Sequence, residues 1–192
     1  MLERSLIGLR ALKYLNEDTL SEKGVWASNL CTNLVIELAE IVEKDLLDIS
    51  EPEKIVSTIA SIAGDSYRQY LKAPKGFLKK ETKESLKEIL DLVQKHSMPG
   101  VREDLEVVED AAFTVVTWMR STNWQSFRSL LLLSGVAEGD AARLITQTGE
   151  QLNQIARLNQ THQKLADVCE EARLQLLRPP LREVMSLDVS SS

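Results

Sequence analysis

Apolar side chains recur along most of this chain at intervals of three and four residues, the spacing that lines one face of an α-helix. No stretch alternates for a useful length, so strands should be absent or trivial. Leu2, Leu6, Leu9, Leu12 and Tyr14 or Leu15 predict a first helix over 2–15, followed by a polar break from Asn16 to Gly24. Leu30, Leu34, Leu38 and Ile41 predict one or two helices within Val25–Lys44. Ser50-Glu51-Pro52-Glu53 has the form of a capping box with proline in the first turn, which starts a helix that Gly64 ends. Residues 65–79, holding Pro74 and Gly76, read as irregular. Leu86, Ile89, Leu90 and Val93 then predict a helix over Lys80–Lys95, halted at Ser97-Met98-Pro99-Gly100.

Leu105, Val108, Ala112, Val115, Val116 and Met119 form one stripe over 103–120, acidic at its start and basic at its end as the helix dipole favours. A short helix fits Trp124–Leu133, broken at Ser134-Gly135. A long one runs from about Glu138 to Leu158. Thr161 is placed to cap a last helix reaching about Arg178, where Pro179-Pro180 stops it, and Ser186–Ser192 is expected to fray. The expected fold is therefore all-α, a bundle of about seven to nine helices with no significant sheet. Its expected divisions are an N-terminal helical part (1–64), a basic connector with its helix (65–102), a helical bundle (103–182) and a tail (183–192).

Composition agrees with helix. Hydrophobic residues make up 43% and charged residues 27%, as in a folded globular chain, while 8 Gly and 5 Pro are few turn residues for many short strands. The formal net charge of −6 rules out coating nucleic acid by bulk electrostatics, so any such contact must come from a local face. The longest apolar run, Leu130–Leu133, falls far short of the roughly 20 residues of a membrane span. The start, MLERSLIGLR, lacks the pattern of a secretion signal, and the cytoplasm is the expected location, or the nucleus in a eukaryote. Cys31 and Cys169 lie far apart and read as two buried thiols rather than a disulfide.

Several chemistries have no carrier. There is no G-x-x-x-x-G-K-[ST] phosphate loop and no DEAD- or DEAH-type acidic motif, so ATP hydrolysis by that route lacks both cradle and magnesium ligand. His96 and His162 stand apart from cysteines and acids at metal-ligand spacing, and no G-x-S-x-G elbow occurs. Glu109-Asp110 and Glu170-Glu171 read as solvated helix faces. No catalytic residue, metal or cofactor is expected.

Two features invite a binding role. On the long helix, at about 100° per residue, Arg143, Gln147, Glu150, Gln154 and Arg157 share a narrow polar sector, with Ala141, Ile145, Thr148, Leu152, Ile155 and Ala156 opposite. Arginine can contact phosphates or stack on bases and glutamine can bond base edges, although spacing alone is explained more simply by a solvated face. In the stretch 67–83, Arg68, Lys72, Lys75, Lys79, Lys80 and Lys83 outnumber Glu81, with Tyr67, Tyr70 and Phe77 interleaved. Such a segment can track a single-stranded backbone while rings stack on bases; a solvated connector whose rings pack on the core fits it as well.

Residues 113–182 carry a further pattern: Phe113-Thr114-Val115-Val116-Thr117-Trp118-Met119, then Trp124-Gln125-Ser126-Phe127, then Val136-Ala137-Glu138-Gly139-Asp140-Ala141-Ala142-Arg143-Leu144, with Arg178 near the end. This resembles the DSHCT domain that closes the superkiller and exosome-associated RNA helicases. Leu12-Lys13-Tyr14-Leu15, Lys23-Gly24-Val25-Trp26-Ala27 and Leu38-Ala39-Glu40 are similar to the passage where that family's winged helix gives way to the bundle. The resemblance implies a non-catalytic helical module packed on helicase motor domains, in cis or in trans, and lining the path of single-stranded RNA. It implies strand contacts at Arg143, Gln147, Glu150 and Gln154, with Lys72, Lys75, Lys79 and Lys80 added from the connector. Glu138, Gly139 and Asp140 would set the helix start, the acids suiting its positive end and the glycine permitting a tight approach. Ile145-Thr146-Gln147-Thr148 is neutral where family members often carry further basic residues, which implies a weaker grip on the backbone or a bundle kept for architecture more than for grip. A protein-interaction scaffold without nucleic-acid binding is the alternative.

Overall fold

The computed structural model describes residues 2–96, 98, 101 and 104–182. Among them, nine helices and one minute hairpin run in the order α1 (Leu2–Ala11), β1 (Leu15–Asn16), β2 (Thr19–Leu20), α2 (Glu22–Ala27), α3 (Val35–Glu43), α4 (Pro52–Ala63), α5 (Lys80–Lys95), α6 (Glu109–Arg120), α7 (Trp124–Leu133), α8 (Glu138–Ala156) and α9 (Gln163–Leu176). The two strands pair antiparallel, Leu15 with Leu20 and Asn16 with Thr19. The fold is all-α, as the periodicity predicts.

Helix α4 lies at the centre. Ile55, Val56, Ile59, Ala60 and Ile62 are buried round most of its circumference, which suits a helix packed by α6, α8 and α9 together. Removing one such side chain, as in Ile59→Ala, would cost about 2–5 kcal/mol. Gly64 at its C-terminal end allows the approach of α6, because a Cβ there would sit 2.5 Å from the Cβ of Ala111. Gly149 does the same for α8 and α9, where a Cβ would meet Leu177 at 2.8 Å. Helix α3 packs on α5 and α2 on α3, and one continuous set of buried side chains joins all these layers.

The helix ends show where local signals stop. The first helix closes at Ala11 rather than continuing to Leu15, because Lys13 adopts a left-handed φ of 62°. Tyr14 N–H donates to Leu9 O and Lys13 N–H to Arg10 O, the paired bonds of a Schellman stop. Asp45 (φ 53°) ends α3 and Gly135 (φ 68°) ends α7 through the same bonds, and only the last is glycine. The polar break after Tyr14 holds the hairpin and Ser21, whose hydroxyl caps α2 by accepting from Gly24 N–H. The expected capping box at Ser50 does not form: Glu51 occupies the cap position without a side-chain bond, and Ser50 Oγ accepts from Lys54 Nζ. Thr161 does not cap α9 either, since His162 takes that position and the Thr161 hydroxyl is engaged with Leu158 O and His162 Nδ1.

Helix α6 starts at Glu109, later than the stripe from 103 suggests. The amide of Val108 is committed to Ser61 O of α4 at 2.8 Å, and Leu105 is buried from an irregular segment. The stop expected at 97–100 and the frayed tail fall largely or wholly outside the described residues. Cys169 is buried, its thiol pushed up to about 12 by that burial, but Cys31 is exposed, so the expectation of two buried thiols is corrected at one site. Cys31 lies in the turn between α2 and α3, where the chain runs over the surface.

Candidate nucleic-acid interface

The polar sector of α8 faces outward as its spacing predicts, although not all of it is free. Arg143, Glu150 and Arg157 are exposed and Gln147 and Gln154 half-buried, while Ala141, Ile145, Thr148, Leu152 and Ile155 pack inward. Gln154 Oε1 accepts the amide of Cys31 at 2.9 Å, and its neighbour Gln151 accepts from Thr32 Oγ1 at 2.6 Å. The last turns of α8 therefore hold the loop between α2 and α3. Arg143, one turn into the helix, stays 51% exposed, with Nη2 4.0 Å from Asp65 Oδ2.

That carboxylate belongs to a small ion network. Arg68 Nε donates to Asp65 Oδ2 at 3.1 Å, and Arg68 Nη1 pairs with Asp140 in the first turn of α8. Asp65 is buried just past Gly64, so the network ties the start of the connector to the start of α8. Asp65 carries no signal in the sequence, being a lone acid after a helix stop.

The connector is anchored a second time, on α6. Glu109 Oε1 accepts the Leu78 amide at 2.9 Å and Oε2 pairs with Lys83 at 2.7 Å; Asp110 accepts the Ala73 amide at 2.9 Å and pairs with Lys72 at 2.7 Å. Thr114 Oγ1 accepts the Leu71 amide. Glu109-Asp110 is thus no idle solvated face. Burial pushes the Glu109 carboxyl up, but Lys83 and the Leu78 amide pull it down further, and it settles below its ordinary value.

Of the connector lysines, Lys72 is 90% exposed despite its partner. Lys75, Lys79 and Lys80 are exposed as well, with Lys80 3.7 Å from Glu84. The rings divide. Tyr70 is buried and its hydroxyl accepts the Asp65 amide, Phe77 packs edge-on against Phe113 at 5.2 Å, and Tyr67 alone of the three is exposed.

The remaining helix-start residues serve the architecture. Glu138 Oε1 accepts the indole N–H of Trp124 at 2.6 Å and Oε2 pairs with Arg128 at 2.9 Å. Gly139 is not needed for a tight approach: a Cβ there would meet nothing within 4 Å, and the turn into α8 is made instead by Gly135 at positive φ. Trp118, fully buried, packs against Trp124 at 5.1 Å and Phe127 at 5.6 Å and donates its indole N–H to Leu176 O. The Arg178 guanidinium lies 4.1 Å over the Trp118 ring and donates to Trp118 O in the last turn of α6 and to Ser121 O just beyond it. At the other end of the molecule, Lys23 Nζ bonds Glu40 Oε1 at 2.5 Å and Leu12 O at 3.0 Å, and the Tyr14 hydroxyl donates to the same Glu40 oxygen at 2.8 Å. The separated sequence fragments around Leu12, Lys23 and Glu40 meet at that one carboxylate.

Two clusters, a tryptophan-centred clamp and a tyrosine–lysine–glutamate knot, thus fasten this all-helical domain. The model of the DSHCT (NUC185) domain matches residues 17–183. The chain belongs to that family, the C-terminal region of superkiller-like helicases and a non-catalytic, helicase-associated domain. None of the curated proteins matches it. Among the described residues, no helix is long and apolar enough to cross a membrane and no group of three potential ligands could hold a metal ion.

Proposed function

We propose that this domain braces helicase motor domains and contacts a single strand of RNA through the exposed start of α8. The observation that carries the reading is Arg143, a half-exposed guanidinium on the family's long helix whose nearby carboxylate, Asp65, already pairs with Arg68. Its charge is available to a phosphate at little cost, since withdrawing it leaves Asp65 paired. Gln147 and Glu150 continue the same face. Lys72, Lys75, Lys79 and Lys80 add backbone attraction from the connector, which the network at Arg68 joins to α8. Gln154 contributes less, being engaged with the Cys31 amide.

Filter binding of labelled single-stranded RNA at two salt concentrations tests the reading. The expected result is salt-dependent binding, weakened by Arg143→Ala, with the slope of log affinity against log salt reduced by about 0.7 for the one phosphate contact removed. Absence of binding by the unmodified chain would refute a direct strand contact.

A protein-interaction scaffold is the second reading, favoured by α7. Leu132 is 80% exposed and Leu133 87%, with Leu130 beside them, an unusual apolar surface for a helix end. Capture of separately expressed motor domains, insensitive to nuclease and lost in Leu132→Ser/Leu133→Ser, is the outcome this reading expects.

A further inference from the structure

We infer that Tyr67 is a stacking platform for an unpaired nucleobase, propped by the ion network at the start of α8. The inference rests on the strand-binding reading above and adds a residue and a ligand chemistry to it. Of the three rings in the connector, Tyr70 and Phe77 are committed inward, whereas Tyr67 is 70% exposed. A lone exposed ring is ordinarily free to turn. Here the Arg68 guanidinium stands over the ring, 5.4 Å from its centroid.

Arg68 is itself held at both ends, by Asp65 and by Asp140. The chain of contacts therefore runs from α8 through Asp140 and Arg68 to the ring, and Arg68 acts as a positioning residue. Fixing the ring in advance lowers the entropy lost when a base stacks on it. Arg68 with its two carboxylates carries no net positive charge, so the prop is not itself a phosphate site and the phosphate contact stays with Arg143. What Tyr67 offers is a flat apolar surface with a cation behind it, which suits the π-face of any base and discriminates little among them. A base inside a duplex presents no free face, so the ligand is single-stranded. Arg143 faces the same Asp65, which links the base contact to the phosphate contact.

The test uses the whole chain and two oligonucleotides of about 12 residues, one bearing bases and one abasic along the same backbone, with fluorescence anisotropy as the readout. Tyr67→Ala is expected to weaken binding of the base-bearing strand about 5- to 30-fold and to leave the abasic strand and the salt slope unchanged. Tyr67→Phe keeps the ring and should bind as the parent does. Arg143→Ala should weaken both strands. If Tyr67→Ala binds the base-bearing strand like the parent while Arg143→Ala does not, the stacking role is overturned and the strand reading survives. If the parent binds neither strand, both fall together.

Discussion

Helices α6 and α8 begin alike in the sequence, each with two acids in its first turn, yet the fold uses the two starts differently. At α6, Glu109 and Asp110 accept main-chain amides, those of Leu78 and Ala73, with Lys83 and Lys72 as additional partners. At α8, Glu138 and Asp140 take side-chain donors: the Trp124 indole, Arg128 and Arg68. A bonded main-chain amide fixes the path of the chain, whereas a bonded guanidinium can exchange partners without moving the backbone. The first start is therefore a fastening for the connector. The second gathers two arginines around Asp65 and leaves one of them, Arg143, at the surface.

The contrast breaks most visibly at Glu109. Glu109→Ala orphans the amide of buried Leu78 and frees Lys83, and a loss of about 1–3 kcal/mol is expected in urea unfolding. Asp140→Ala removes a partly exposed ion pair, and its loss should stay below about 1 kcal/mol. Equal losses would mean that the two starts hold the connector in the same way. Protection of amides 71–78 against hydrogen exchange should fall in the first variant and persist in the second.

Acidification sharpens the same point. A carboxyl whose folded pKa lies below its unfolded one contributes stability above the unfolded value and loses it as pH falls through the folded value. For Glu109 the window therefore opens near the ordinary 4.5 and runs downward. Glu109→Gln keeps an oxygen for the Leu78 amide and removes the titration, so its stability should fall less steeply than the parent's across that window. Parallel pH profiles would deny the ionised carboxylate its part in the fastening.

The smallest effect is expected at Gly139. Its surroundings are open and its φ is not left-handed, so Gly139→Ala should be neutral or stabilise by up to about 1 kcal/mol through helix propensity. Destabilisation in a thermal melt would restore the tight-start role that its place in the E-G-D motif suggests.

Much of the fold was legible residue by residue. Lys80–Lys95 and Trp124–Leu133 begin and end where periodicity and flanking breakers place them, and Gly135 takes the positive φ that only glycine adopts freely. Lys13 and Asp45 take the same left-handed step, but their side chains do not announce it, so periodicity alone carries the first helix past its true end. Leu105 and Val108 continued an apolar stripe that is buried without being helical, because burial requires a contact and not a particular backbone. The exposed sector of α8 was legible in the same local way, and Arg143 with it. The use of Gln154, the buried Asp65 and the freedom of Tyr67 alone among three rings were not.

The division has one physical cause. Helical faces arise from contacts three or four residues apart, and those spacings are written in the order of residues. All-helical architecture, the inward face of α8 and the membership of the chain in its family follow from that order alone. Which acid meets which base does not: Arg68 reaches Asp140 across 72 positions, Lys72 reaches Asp110 across 38 and Lys83 reaches Glu109 across 26. Only the packing of the helices and the connector on one another brings those partners within bonding distance, and so only the tertiary structure decides which charges are spent within the fold and which remain for a ligand.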